Sequence, residues 1–157
     1  MQPLAHAPQD TATEWFAEEL AAAATSAGGQ VAMVERSARE GHMPPLLRRP
    51  EAETYRVLEG EVVFFVGGDM VWAGPGDVVV APSDVARTFR VASADARWLV
   101  LTQVSSLDRF HEFGRAVSRP LPCPTAGWPS PEEHHAVAAM GAANGIKLLG
   151  PPGALPG

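Results

Sequence analysis

ETYRVLEGEVVFFVGGDMVWAGPGDVVVAPSDVARTFR, residues 53–90, decides the fold. Its short apolar runs are Thr54–Leu58, Val62–Val66, Met70–Ala73, Val78–Ala81 and Ala86–Val91. Glu59-Gly60, Gly67-Gly68-Asp69, Gly74-Pro75-Gly76-Asp77 and Pro82-Ser83-Asp84 separate them. Runs of four to six residues rich in Val, Phe, Tyr and Trp, punctuated by Gly, Pro and Asp, are strands joined by tight turns. Strands so short and evenly spaced build a small antiparallel sandwich or barrel.

Outward from this block, Ala96–Val104 is apolar enough for a further strand inside the sheet, and Val31–Arg36 alternates as a strand before a polar bend at Ser37–Gly41. Met43–Pro50 is a proline-braced segment leading to the barrel mouth. Glu14–Ala24 has helix-like apolar spacing and an alanine-rich composition. Ser105, with Asp108 three residues on, starts a helix to about Val117. Arg119–Pro129, with four prolines, reads as an extended linker. Ser130-Pro131-Glu132-Glu133 is a strong helix start, and that helix should run to Asn144 and stop at Gly145. Ile146–Leu149 is short and apolar, and residues 150–157 form a proline-glycine tail. The expected organisation is a flexible arm at 1–13, a barrel with its following helix at 14–118, and a linker, short helix and tail packed on the barrel at 119–157.

The chain has 157 residues, enough for one domain, and 46% apolar residues supply a single core. A net charge of −6 argues against nucleic acid or an anionic membrane as partner. Lone Cys123 excludes an internal disulfide and fits a reducing compartment. No early run suits a signal peptide or a membrane span, so the expected location is cytoplasmic. GGDM and GPGD are strand turns and not phosphate-binding loops, since neither fits the glycine patterns followed by a helix.

The LEGE turn after a strand carrying Glu53, and the stretch GPGDVVVAPSDVARTFR, resemble the two sequence motifs of the cupin family. The closing GIKLLGPP and the RFHEFG helix are similar to the single-domain bacterial quercetin-dioxygenase-like members, extending the resemblance over roughly residues 14–152. It implies an all-β jelly-roll barrel with one or two short C-terminal helices, and a strand within Glu14–Ala24, where the helix and strand readings both stay open. It also implies a homodimer, for which the apolar runs Val62–Val66 and Trp98–Val104 suit an interface.

Family members usually hold a metal with two His and a Glu from the first motif and a His from the second. Here Glu53 stands at the glutamate position and Arg87 at the second-motif histidine. The two remaining histidine positions fall on Leu47 and Arg49, or in the other register on Leu46 and Arg48. The usual ligand set is therefore replaced, and no metal or other cofactor is expected. His42 with Glu53 offers two donors where a stable site wants three or four.

Alternation places Glu53, Tyr55 and Val57 on one strand face, and Arg87, Phe89 and Val91 on another. In the arrangement the resemblance implies, Glu53 and Arg87 meet in the cavity, with Arg49 or Arg48 reaching it from the mouth. A buried carboxylate without a metal needs a cation or a proton, and arginine suits it because its fork binds carboxylates bidentately. Two arginines against one glutamate leave an excess of roughly one positive charge. The cavity is then expected to bind a small anionic or polyphenolic ligand through Arg87, Arg49 and Arg48, packed on Phe89, Trp72 or Trp98. The bland alternative is a salt bridge that merely braces the barrel. A second alternative is a metal-independent isomerase or cyclase acting through Tyr55, Glu53 and Arg87, with a nearby arginine lowering the phenol's pKa. A quercetin-type dioxygenase would need an unusual metal site.

Overall fold

The computed structural model describes residues 18–23, 31–103 and 131–157. The N-terminal arm, the expected helix at 105–117 and the linker at 119–129 lie outside them. Ten strands and one helix occupy the described residues: β1 (Glu18–Ala23), β2 (Val31–Arg39), β3 (Leu46–Arg48), β4 (Glu53–Glu59), β5 (Val62–Val66), β6 (Asp69–Ala73), β7 (Val78–Ala81), β8 (Arg87–Val91), β9 (Asp95–Gln103), α1 (Pro131–Ala143) and β10 (Lys147–Gly150). They form two five-stranded antiparallel sheets, ordered β1-β2-β9-β4-β7 and β10-β3-β8-β5-β6. This is the antiparallel two-sheet architecture that the turn-punctuated block implies, and it is the all-β jelly roll expected from the resemblance.

The strands of residues 53–91 fall where the apolar runs place them, because every boundary is a turn that the side chains favour. The hairpin β5–β6 pairs Val62 with Ala73 and Val66 with Asp69 around Gly67-Gly68. At the next turn the Asp77 carboxylate accepts the Gly74 N–H at 2.9 Å, the local bond that makes aspartate a turn residue. Pro82-Ser83-Asp84 closes with Asp84 in the left-handed region at φ 58°, where aspartate is tolerated. The Asp84 N–H donates to the Arg49 carbonyl at 2.8 Å, joining this turn to the segment after β3.

Gly60 is required by its surroundings. Its φ is +76°, and a Cβ there would overlap the Asp95 carbonyl oxygen and crowd Ser93 Oγ. Gly60→Ala is expected to lower stability by at least about 1–3 kcal/mol from backbone strain, read as a lower denaturant midpoint. An unchanged midpoint would show that this turn is not so tightly packed.

Three readings of the sequence change. β2 continues to Arg39, so Ser37–Arg39 is strand and not bend. Its ladder with β9 runs unbroken from Val31↔Gln103 to Arg39↔Asp95 and supplies the backbone partners. Of the open readings for Glu14–Ala24, the strand holds over Glu18–Ala23, which pairs with β2 despite its alanine content. Tertiary pairing here overrides helix propensity. Last, Leu46–Arg48 and Lys147–Gly150 are strands that pair with one another. Helix α1 ends as expected, with Gly145 at φ 73° and the Ile146 N–H returning to the Gly141 carbonyl at 2.8 Å.

The core lies between the sheets, where Val57 and Trp98 of one sheet meet Val62, Phe64 and Val91 of the other. Trp98 and Val57 are fully buried. Four of the five residues in Val62–Val66 are buried within the chain's own fold, and Leu99 and Leu101 are only half-buried. Among the described residues no helix is long and apolar enough to cross a membrane.

Candidate functional site

One end of the space between the sheets is polar. Alternation on β4 turns Glu53 and Tyr55 inward, β8 begins there with Arg87, and the segment after β3 brings Arg49. The ladders fix these positions, since Arg87 pairs with Val66 of β5 and with Leu47 of β3. The result is a cavity with about 60 Å³ of space for water-sized groups. Its polar wall is Arg36, Arg49, Glu53, Tyr55, Arg87 and Thr88. Its apolar wall is dominated by Leu47, Phe64, Val66, Phe89, Trp98 and Val100.

Glu53 is the centre of the polar wall. Arg49 Nη1 donates to Oε1 at 2.5 Å, while Oε2 accepts from the Tyr55 hydroxyl at 2.6 Å and from Arg87 Nη1 at 3.2 Å. All three side chains are buried, as is Arg36. Burial by itself raises the Glu53 pKa, but Arg49, Arg87, the Tyr55 hydrogen bond and Arg36 together outweigh it and hold the carboxyl below its ordinary range. Glu53 is therefore an ionised carboxylate inside the barrel.

Arg87 does more than pair with this carboxylate. Its Nη2 donates to the carbonyls of Pro82 at 2.9 Å, Glu51 at 3.2 Å and Arg49 at 3.4 Å, and its Nε to that of Val85 at 3.2 Å. One guanidinium thus ties the turn 82–85 to the segment 49–51, a geometry that its fixed fork of donors allows.

The sequence expectation for Tyr55 reverses. Burial first, and then the charge of Glu53, push the phenol well above its ordinary pKa, overriding the opposite pull of Arg87 and Arg49. The carboxylate, not a guanidinium, is the group its hydroxyl touches. Tyr55→Phe is expected to cost about 1.5–3 kcal/mol, the value of a hydrogen bond to a charged group, measured by chemical denaturation. An unperturbed variant would mean that the Tyr55–Glu53 bond contributes nothing.

Of the remaining residues singled out from sequence, Arg49, Arg87, Phe89 and Trp98 line the cavity. Arg48 and Trp72 do not. On β3, Leu47 faces the cavity, so Arg48 beside it points away and is half-buried. Trp72 lies on β6, an edge strand of its sheet, and is 58% exposed. The residue missed is Arg36. The alternation of buried Ala32, Val34 and Arg36 along β2 carried that signal, since one parity of the strand faces inward.

The metal expected of relatives does not fit these residues. Among the cavity's lining residues Glu53 is the single His, Cys, Asp or Glu, and both of its oxygens are taken by cations and a hydroxyl. In either register of the resemblance no histidine stands at the expected positions, and two positive charges beside the carboxylate repel a third. His42 packs its ring on Phe89 at 5.9 Å, outside the cavity. No group of three or more such donors occurs among the described residues.

Residues 35–102 match the family model described as "Cupin domain". No curated protein matches the chain. Among solved structures, the chain is similar to the DMSP lyase DddQ from Ruegeria pomeroyi DSS-3, with 29% identity over 48% of this chain and 39% of that one, at a TM-score of 0.45. The cupin domain of Schizosaccharomyces pombe Cnp3 gives 11% identity over 60% of this chain and 66% of that one, at 0.50. The polyketide cyclase RemF from Streptomyces resistomycificus gives 17% over 55% and 63%, at 0.46. The chain spans less than two thirds of each of these proteins, and the likenesses carry no activity across. The family match thus covers 35–102, the part of the chain that holds most of the two-sheet architecture.

Proposed function

We propose that this protein binds a compact organic anion in the cavity between its sheets. The observation that carries the reading is charge: three buried guanidinium groups, of Arg36, Arg49 and Arg87, line the cavity against the single carboxylate of Glu53. Among the lining residues positive side chains therefore outnumber negative ones, and charge is costly to bury. A carboxylate ligand meets such a lining in the planar form that a guanidinium grips best. The space favours a small acid over a polyphenol.

Proton-transfer chemistry by Tyr55 and Glu53 is less well supported. The phenol holds its proton too tightly to act as an acid near neutral pH, and the carboxylate, held by two arginines, is a weak base. The test is a thermal-shift comparison of small carboxylic acids with amines of the same size. Acids are expected to raise the melting temperature, by the equivalent of about 2.7 kcal/mol at a hundred times the dissociation constant. Arg36→Leu should weaken the effect about tenfold. Amines acting as strongly as acids, or no acid acting at all, would overturn the proposal.

A further inference from the structure

The alternation that turns Trp98 and Val100 into the core turns Leu99 and Leu101 out of it, onto the opposite face of their sheet. The ladders extend that outer face over neighbouring strands. One cross-strand row runs Val80, Thr54, Leu101, Met33 over β7, β4, β9 and β2, and the next runs Val78, Arg56, Leu99, Glu35. Val78 and Val80 are 57% and 55% exposed, and Leu99, Leu101 and Met33 are half-buried. An antiparallel sheet whose outer face meets water normally sets polar residues there. Contiguous apolar side chains on such a face mark a contact surface. The one helix among the described residues, α1, packs against β10 of the other sheet.

Charge indicates what fits this surface. Arg56 and Glu35 stand on the two strands that flank β9, one on either side of Leu99. A two-fold axis running along β9 lays Leu99 and Leu101 on their own counterparts and brings β4 of one copy over β2 of the other. Each Arg56 then meets the partner's Glu35, so the face is complementary to itself. Glu35 holds its ion pair with Arg97 through Oε1 at 3.2 Å, and its carboxylate has a second oxygen for another guanidinium. Arg56 is exposed. A chain of net charge −6 repels its copy overall, and these two crossed pairs oppose that repulsion where the copies touch. The size also suits a second copy. Five strands about 4.8 Å apart, with nine-residue strands rising about 3.4 Å per residue at the centre, present on the order of 600 Å² in projection. A stable interface takes about 800 Å² of accessible surface from each partner.

We propose that the outer face of the β1-β2-β9-β4-β7 sheet joins two copies of this chain about a two-fold axis along β9, with Arg56 of each copy on Glu35 of the other. Sedimentation velocity on the full chain, over a range of concentrations, is expected to give the mass of two chains. Leu101→Lys, which places a charge against its own counterpart at the axis, should weaken association at least about tenfold. Arg56→Glu alone and Glu35→Arg alone should each give single chains, because like charges then meet at both crossed contacts. An equimolar mixture of these two variants should form a dimer with one chain of each, since both contacts are again opposite in sign. All three substitutions lie on the outer face, and circular dichroism checks that each variant is folded. Should Leu101→Lys not fold, the mixture decides. A parent chain that sediments alone, a dimer indifferent to Leu101→Lys, or a mixture that stays as single chains would each overturn the proposal.

Discussion

Replacing Glu53 with glutamine is expected to lower folding stability by about 3–5 kcal/mol, although the two side chains have nearly the same shape. The loss comes from what remains. Arg49 and Arg87 stay buried with the charge that faced them at 2.5 and 3.2 Å removed, and the amide can accept on only one of the two atoms that now accept three bonds. Denaturant titration at neutral pH measures the effect. The same carboxylate sets an acid limb. Its folded pKa lies below the unfolded value, so its contribution is fully present above about pH 4.3 and is lost as the pH falls through the lower folded value. The glutamine variant should start less stable and lose less on acidification. A variant as stable as the parent at pH 7 would show that the arginines are adequately neutralised without Glu53.

Arg87→Met should cost a similar amount, about 3–5 kcal/mol, by the opposite imbalance. The buried carboxylate keeps Arg49 and Tyr55 but loses its second cation, and the carbonyls of Pro82, Glu51 and Val85 lose their donor. Arg87→Lys restores the charge but not the fork, so it should recover less than half of the loss, because one ammonium cannot address acceptors on both sides of the turn. Combining Glu53→Gln with Arg87→Met removes both charges of one pair, and the double variant should be more stable than the two separate losses imply. Strict additivity would mean that the two residues do not interact energetically, against the 3.2 Å contact.

The turn chemistry of residues 53–91 makes five strands legible in the sequence, and alternation along one of them puts Glu53 and Tyr55 on the inner face. Elsewhere local pattern is insufficient. β3 and β10 have three and four residues and are flanked by prolines and glycines, so they exist because they pair with one another across a hundred residues of sequence. β1 is alanine-rich and reads as helix until β2 offers it a ladder. Trp72 carries the wrong expectation because an edge strand can expose both faces, as β6 does at residues 69–72, and alternation alone does not mark an edge. The Tyr55 error is one of sign. Sequence places the phenol near both a guanidinium and a carboxylate, and only the hydrogen bond to Glu53 shows which dominates. Arg36 is legible in principle, since Ala32 and Val34 share its parity and are both buried.

Where the resemblance expects a metal, Arg49 and Arg87 hold the Glu53 carboxylate inside a lining whose cations outnumber its anions. On this view Glu53 is an internal competitor of the ligand. It stabilises the empty barrel and opposes the anion that the barrel binds, through the same guanidinium groups. The deciding measurement is the affinity of Glu53→Gln for propionate relative to the parent chain, by calorimetric titration. The variant, although less stable, is expected to bind propionate more tightly, by about tenfold or more. Affinity that is unchanged or lost in the folded variant would contradict this, since Glu53 would then be indifferent to the ligand or part of its grip.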